Sequence, residues 1–174
     1  MKKILFAAVI SLFMASCADN EKKEDEASSK NAEMKASYEK NLATVKAIIA
    51  AFEKEDLNGV GAQIADTAEW TSPAYGDTIA TKVHWMESLK YYLDNWSNLH
   101  LSNPIFLPGI DQVTHELDGS VRYYGSWGGV HSSGVATKLK FYGTYDFNAD
   151  NKIVAGDEFF DLGGMMNAVQ AKGK

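Results

Sequence analysis

Cysteine is almost absent from this 174-residue chain, and its single thiol, Cys17, excludes both an internal disulfide framework and a structural zinc site built on several thiolates. Positive charge is also scarce: 17 Lys and Arg stand against 23 Asp and Glu, a formal net charge of −6. A nucleic-acid-binding surface needs clustered basic residues to neutralise phosphates, so no nucleic-acid partner is expected. No apolar run approaches the roughly 20 residues that a membrane-crossing helix requires. The histidines, His84, His100, His115 and His131, include no pair at the spacing of a helical metal site, and neither a metal nor another cofactor is expected. Phosphate-cradling glycine motifs, a nucleophile elbow and a Cys/His pair are missing too.

What is present suits a globular domain. Hydrophobic residues make up 45% of the chain, charged residues 23% and aromatics 11%, enough for one domain with a real core plus a tail. Met1-Lys2-Lys3 is a short positive segment, and Ile4 to Met14 is an apolar run of signal-peptide length. Met14-Ala15-Ser16-Cys17 then resembles the lipobox of bacterial lipoproteins, with Met14 where leucine is more usual. That resemblance implies removal of residues 1–16, lipidation of Cys17, and a lipoprotein of the outer membrane in a Gram-negative cell envelope. Several acyl chains, each contributing about 0.8 kcal/mol per buried methylene, hold such a protein stably on a membrane. The stretch from Ala18 to Lys30 has no bulky apolar residue, and residues 18–36 read as a disordered acidic tether. Its composition resembles the tethers of surface lipoproteins of Bacteroidota.

The folded part, residues 37–172, begins with a helical stripe of Tyr38, Leu42, Val45, Ile49 and Phe52 at spacings of three and four. Asp56 is a candidate N-cap for a short helix carrying Leu57, Val60 and Ile64 and ending near Asp66. A short strand over Glu69 to Thr71 stops at Pro73, and a third helix spans about Lys82 to Trp96 on the stripe Trp85, Leu89, Tyr92 and Trp96. Strands follow. Leu101 to Leu107, Gln112 to Leu117, Val121 to Trp127, Val135 to Phe147 and Lys152 to Asp161 are predicted, with Asp118-Gly119 as a hairpin turn. Leu139, Phe141, Tyr145 and Phe147 share one face of the fourth of these. Met165 to Val169 reads as a short helical tail. Helices first and hairpin-linked strands afterwards define an α+β domain with helices on one face of an antiparallel sheet.

This order, with Ala68-Glu69-Trp70-Thr71-Ser72-Pro73, Asp118-Gly119-Ser120-Val121 and the terminal Lys152-Ile153-Val154 strand running to Asp161, resembles the nuclear transport factor 2-like superfamily and its SnoaL-like branch. The resemblance implies a cone in which a curved sheet wraps helices around a pocket, and homodimers through the sheet. It leaves the chemistry open, because the fold hosts isomerases, cyclases, dehydratases, ligand binders and interaction modules.

Strand alternation sends Val154, Gly156, Glu158 and Phe160 to one face, and Ile153, Ala155, Asp157, Phe159 and Asp161 to the other. In SnoaL-like cyclases a carboxylate about where Glu158 stands is the acid/base, so the resemblance makes Glu158 the candidate catalytic group; the histidine usual two residues earlier is replaced here by Gly156. A carboxylate in an apolar pocket exchanges its proton near neutral pH. His131, in the loop Gly128 to Gly134, is a second candidate catalytic residue, and Asp161 a cap for the tail. Tyr124, Trp127, Tyr142 and Trp70 are the candidate ligand-binding residues, in a pocket for a small apolar or aromatic molecule. A deep pocket pairing a buried carboxylate with a facing donor would mark an isomerase, cyclase or dehydratase. An apolar pocket without that pair would mark a binder, and a filled cone an interaction scaffold.

Overall fold

The computed structural model describes residues 5–76 and 79–171, with side chains from Ser28 onward. The leader and the lipidation candidate Cys17 therefore lie outside the residues whose side chains are described. Helix α1 spans Leu5–Glu53. Its helical backbone runs through residues 18–36, a course that composition favours. No glycine or proline precedes Gly59, and alanine, lysine and glutamate, all good helix formers, dominate residues 18–40. This part of the helix packs against little: Ser28 to Ala36 are mostly exposed, and Lys30 reaches Glu116 in a surface ion pair of 2.6 Å. Among the described residues no helix is long and apolar enough to cross a membrane.

The C-terminal part of α1 buries its predicted stripe, with Leu42, Val45 and Ile49 in the core and Tyr38 and Phe52 against it. Glu55 ends the helix in the left-handed region at φ 60°. Asp56 caps α2 (Leu57–Ala62), its carboxylate accepting from the Gly59 N–H at 2.8 Å. The short helix stops before Ile64, which opens β1 (Ile64–Thr71) instead of closing the helix. Lys82 Nζ donates to the Ile64 carbonyl at 2.7 Å and to Asp66 at 2.8 Å, tying the start of α3 (Lys82–Asn95) to β1. Between them lies the two-residue β2 (Ala80–Thr81).

The remaining elements are β3 (Trp96–Ile110), β4 (Leu117–His131), β5 (Ala136–Phe147), β6 (Ile153–Phe159) and α4 (Leu162–Ala171). They form a six-stranded sheet in the order β2-β1-β6-β5-β4-β3, antiparallel except for the parallel β1–β6 pair. Pro104 and Pro108 sit in β3, an edge strand, where a missing N–H costs no ladder bond on the solvent side. The pairing of β3 with β4 shifts register three times, and these bulges curve the sheet around the helices.

The predicted strand over Gln112 to Leu117 and its hairpin at Asp118-Gly119 are not formed. The turn lies earlier: Asp111 accepts from the N–H groups of Val113 and Thr114 at 2.9 and 2.7 Å, and its own N–H closes the loop onto the Glu116 carbonyl. Asp118-Gly119 is a kink inside β4, with Gly119 at φ 82° and its carbonyl accepting from Asn41 of α1 at 2.9 Å.

β6 is central, flanked by β1 and β5, and its phase fixes the site. Asp146 pairs with Ala155 and Phe147 with Ile153, so Val154 is a bulge. The bulge corrects the simple alternation: Ile153 is buried alongside Gly156, while Glu158 and Phe160 keep the inward phase and Phe159 is outside, 53% exposed.

Candidate functional site

The curved sheet and the helices wall a cavity of about 110 Å³ that is partly open to solvent. Helix α1 contributes Val45, Ile49 and Phe52 to its wall, and α3 contributes Trp85, Leu89 and Tyr92. Trp96 and Leu99 come from β3, Tyr123, Trp127 and Gly128 from β4, and Thr137, Leu139, Phe141 and Tyr145 from β5. Ile153, Glu158 and Phe160 come from β6 or just beyond it, and Met165 comes from α4. That volume is below the about 150 Å³ of a dry cavity that accepts benzene, so the part of a ligand held inside is at most the size of one ring and the remainder extends through the opening.

Glu158 is the carboxylate in this cavity; Asp157 is on the other side of the strand, and Asp161 caps α4 by accepting from the Gly164 N–H at 2.8 Å. The Tyr145 hydroxyl donates to Glu158 Oε1 at 3.1 Å. The indole N–H groups of Trp70 and Trp85 are buried without a partner at full hydrogen-bond geometry, and both lie near enough to the carboxylate to favour its charged form. Desolvation outweighs all three donors and pushes the Glu158 carboxyl up to about 7, so it is poised between its two protonation states at neutral pH.

The sequence supplies this geometry through one glycine. A Cβ at Gly156 would lie 2.6 Å from Trp85 Cη2 and 3.0 Å from Tyr145 Cδ1. The space left by the missing side chain at Gly156 is thus filled by the edge of Trp85. Trp85 stacks on Trp70 on one side, 5.8 Å between centroids and 1° between planes, and on Tyr145 on the other at 6.1 Å and 10°. Tyr123 stacks on Tyr145 at 6.0 Å and accepts from Trp127 Nε1 at 3.3 Å. Two separate hydrogen bonds thus line this side of the cavity, Trp127 to Tyr123 and Tyr145 to Glu158. Burial, reinforced by the Glu158 charge, raises the phenols of Tyr123 and Tyr145 and lifts that of Tyr92 to about 12, so all three stay protonated at neutral pH.

The candidate residues divide sharply. Glu158 and Trp127 line the cavity, and Trp70 stands behind it against Trp85. Tyr124 and Tyr142 are not brought there. They stack on each other at 4.7 Å on the outer face of the sheet, and Tyr142 continues onto Phe159 at 5.7 Å. His131 is not brought to Glu158 either: its Nδ1 accepts from the Ser133 N–H at 3.0 Å, and its ring packs against Trp96 at 4.4 Å. Tyr123, Tyr145 and Trp85 are the site residues missing from the sequence reading. The signal for Tyr145 was its shared face with Leu139 and Phe141, which by alternation sends Tyr142 the other way. Among the described residues no three His, Cys, Asp or Glu side chains come together as a metal site.

No protein-family model and no curated protein sequence matches the chain. Solved structures match it in fold. A nuclear transport factor 2-like protein of unknown function from Burkholderia pseudomallei superposes with a TM-score of 0.60 at 22% identity, over 75% of this chain and 97% of that one. A candidate polyketide cyclase from Xanthomonas campestris gives 0.61 at 15% identity, over 76% and 98%. A candidate SnoaL-like polyketide cyclase from Shewanella denitrificans gives 0.59 at 9% identity, over 75% and 97%. The chain therefore has the nuclear transport factor 2-like cone fold, an α+β domain with a pocket inside its curved sheet.

Proposed function

We propose that this chain is a membrane-anchored lipoprotein whose SnoaL-like domain binds one small, largely apolar molecule in the cone. The observation that carries the reading is the cavity itself, walled almost wholly by rings and aliphatic side chains, with one carboxylate set into it. Native mass spectrometry of the protein purified from its own cell envelope tests it. A small molecule should travel with the native chain and be lost when Leu139→Trp fills the cavity. A chain that carries no molecule in the envelope, and takes up no ring-sized compound afterwards, would defeat the reading.

A second reading, an isomerase-, cyclase- or dehydratase-type enzyme with Glu158 as general base, is favoured by a carboxyl poised near pH 7. Against it, the one hydroxyl that donates in the site, that of Tyr145, is directed at Glu158 itself. It holds the base rather than stands across the cavity, where a developing oxyanion would need it.

The anchor rests on Met14-Ala15-Ser16-Cys17, and outer-membrane placement follows from it. Cys17→Ala should release the protein from washed membranes into the soluble fraction; retention of the variant on membranes would exclude the lipid as the anchor. A homodimer through the sheet is supported by the outer row Ile105, Tyr124, Tyr142 and Phe159, in register across neighbouring strands.

A further inference from the structure

Among the described residues that line the cavity, Glu158 is the only one able to carry charge at neutral pH, and no Lys, Arg or His stands opposite it. Its carboxylate accepts from one neutral donor, the Tyr145 hydroxyl on β5, and the indole N–H groups of Trp70 on β1 and Trp85 on α3, neutral too, lie near it without a hydrogen-bond partner. Neutral donors orient a carboxylate without cancelling its charge. Among the described residues no counter-charge stands beside it, and the space where one would sit is the cavity.

The walls narrow the choice of ligand. A metal ion needs several oxygen or nitrogen ligands, and Glu158 is alone among aromatic and aliphatic neighbours. An anion would set two like charges in a desolvated space. An organic cation fits both features at once, because its charge meets the carboxylate while its carbon groups meet apolar surface and the faces of rings attract it. The net charge of −6 draws cations toward the molecule.

We propose that the cavity is a site for a small organic monocation, an alkyl- or arylammonium, with its nitrogen against Glu158 and its carbon groups among Trp85, Tyr92, Tyr123 and Phe141. This rests on the reading of the cavity as a ligand site and names the class of ligand it takes. Tyr145 serves as a positioning residue: its hydroxyl donates to the carboxylate and stays protonated at neutral pH, leaving the charge for the ligand.

Isothermal titration of the full chain with phenyltrimethylammonium tests the proposal, against tert-butylbenzene, which has the same shape without the charge, and benzoate, which carries the opposite charge. At pH 8 the cation should bind at least about tenfold tighter than tert-butylbenzene, and benzoate should not bind, since burial amplifies charge matching. The ionisable groups around Glu158 are Tyr145 on β5, Tyr123 on β4 and Tyr92 on α3, all with raised phenol pKa values, while α1, β1, β3 and α4 add none to the lining. Between pH 8 and 5 the charge of the site is therefore set by Glu158. The probe charge is permanent, so its affinity should fall about tenfold per unit from pH 7 to 5, while that of tert-butylbenzene stays flat.

Glu158→Gln should weaken the cation about 100-fold, the effect of removing one partner of a buried charge pair, and spare the neutral probe. If that variant does not fold, the pH series on the native protein decides. Equal binding of cation and neutral probe, or tighter binding of benzoate, would overturn the ammonium assignment and leave the ligand cavity standing. Failure of all three compounds to bind would overturn both.

Discussion

Trp85→Ala is expected to lower unfolding stability by about 3–5 kcal/mol, the range for removing a large ring from a packed core. Trp85 is 2% exposed and lies between Trp70 and Tyr145 in near-parallel stacks, with Gly156 cut back to admit its edge. Removing it leaves a void against both rings that the central strand β6 cannot close without moving. Trp85→Phe separates packing from polarity. The smaller ring keeps most of the stack and loses the N–H that favours the charged carboxylate. The phenylalanine variant should therefore lose only about 1–2 kcal/mol, and its Glu158 should hold its proton to a higher pH than in the native protein. Urea denaturation of the three proteins at pH 6 and pH 8 checks both expectations. An alanine variant within about 1 kcal/mol of the native protein would mean that the stack carries little of the core.

The elements that were legible in the sequence are those where one signal dominates. The α1 stripe, the Asp56 cap and the helix read over about Lys82 to Trp96 each have one strong periodicity or capping residue, and each formed, with Trp96 opening β3 instead of closing the helix. The Asp118-Gly119 turn failed because two turn chemistries compete within ten residues. Asp111 satisfies two backbone donors at once, and Gly119 is used instead to bring β4 against Asn41 of α1.

Glu158 was legible because β6 keeps its phase beyond the Val154 bulge, whereas Ile153, on the other side of that bulge, was assigned to the wrong face. The tyrosines were harder. Both faces of the sheet carry aromatics, Tyr123 and Tyr145 inside and Tyr124 and Tyr142 outside, so hydrophobicity alone does not choose between neighbours in β4. Only cross-strand register does, and a single sequence contains no register. The contact that aims Trp85 at Glu158 joins α3 to β6, across more than 70 residues of sequence, and has no local signature at all.

The stability of the protein should fall as pH rises from about 4.5 to 7 through Glu158, and Glu158→Gln should abolish that part of the fall. In the unfolded chain a glutamate ionises around 4.5, while in the folded protein desolvation holds the Glu158 proton up to about 7. Between those values the folded state binds the additional proton, so each unit of rising pH costs about 1.4 kcal/mol; above the folded value the loss levels off near 3 kcal/mol. Below about 4.5 both states are protonated and the group contributes no pH dependence. A glutamine keeps the shape and an acceptor for the Tyr145 hydroxyl, but it has no charge to desolvate. The variant should match the native protein near pH 4.5 and exceed it by about 3 kcal/mol at pH 8. Asp146, whose carboxyl burial also raises, is common to both proteins and cancels in the difference. Paired denaturation curves from pH 4.5 to 8 measure it directly. A difference that stays constant across that range would mean Glu158 ionises like a solvated glutamate, and the site would then lose the desolvated charge on which both its affinity and its pH dependence depend.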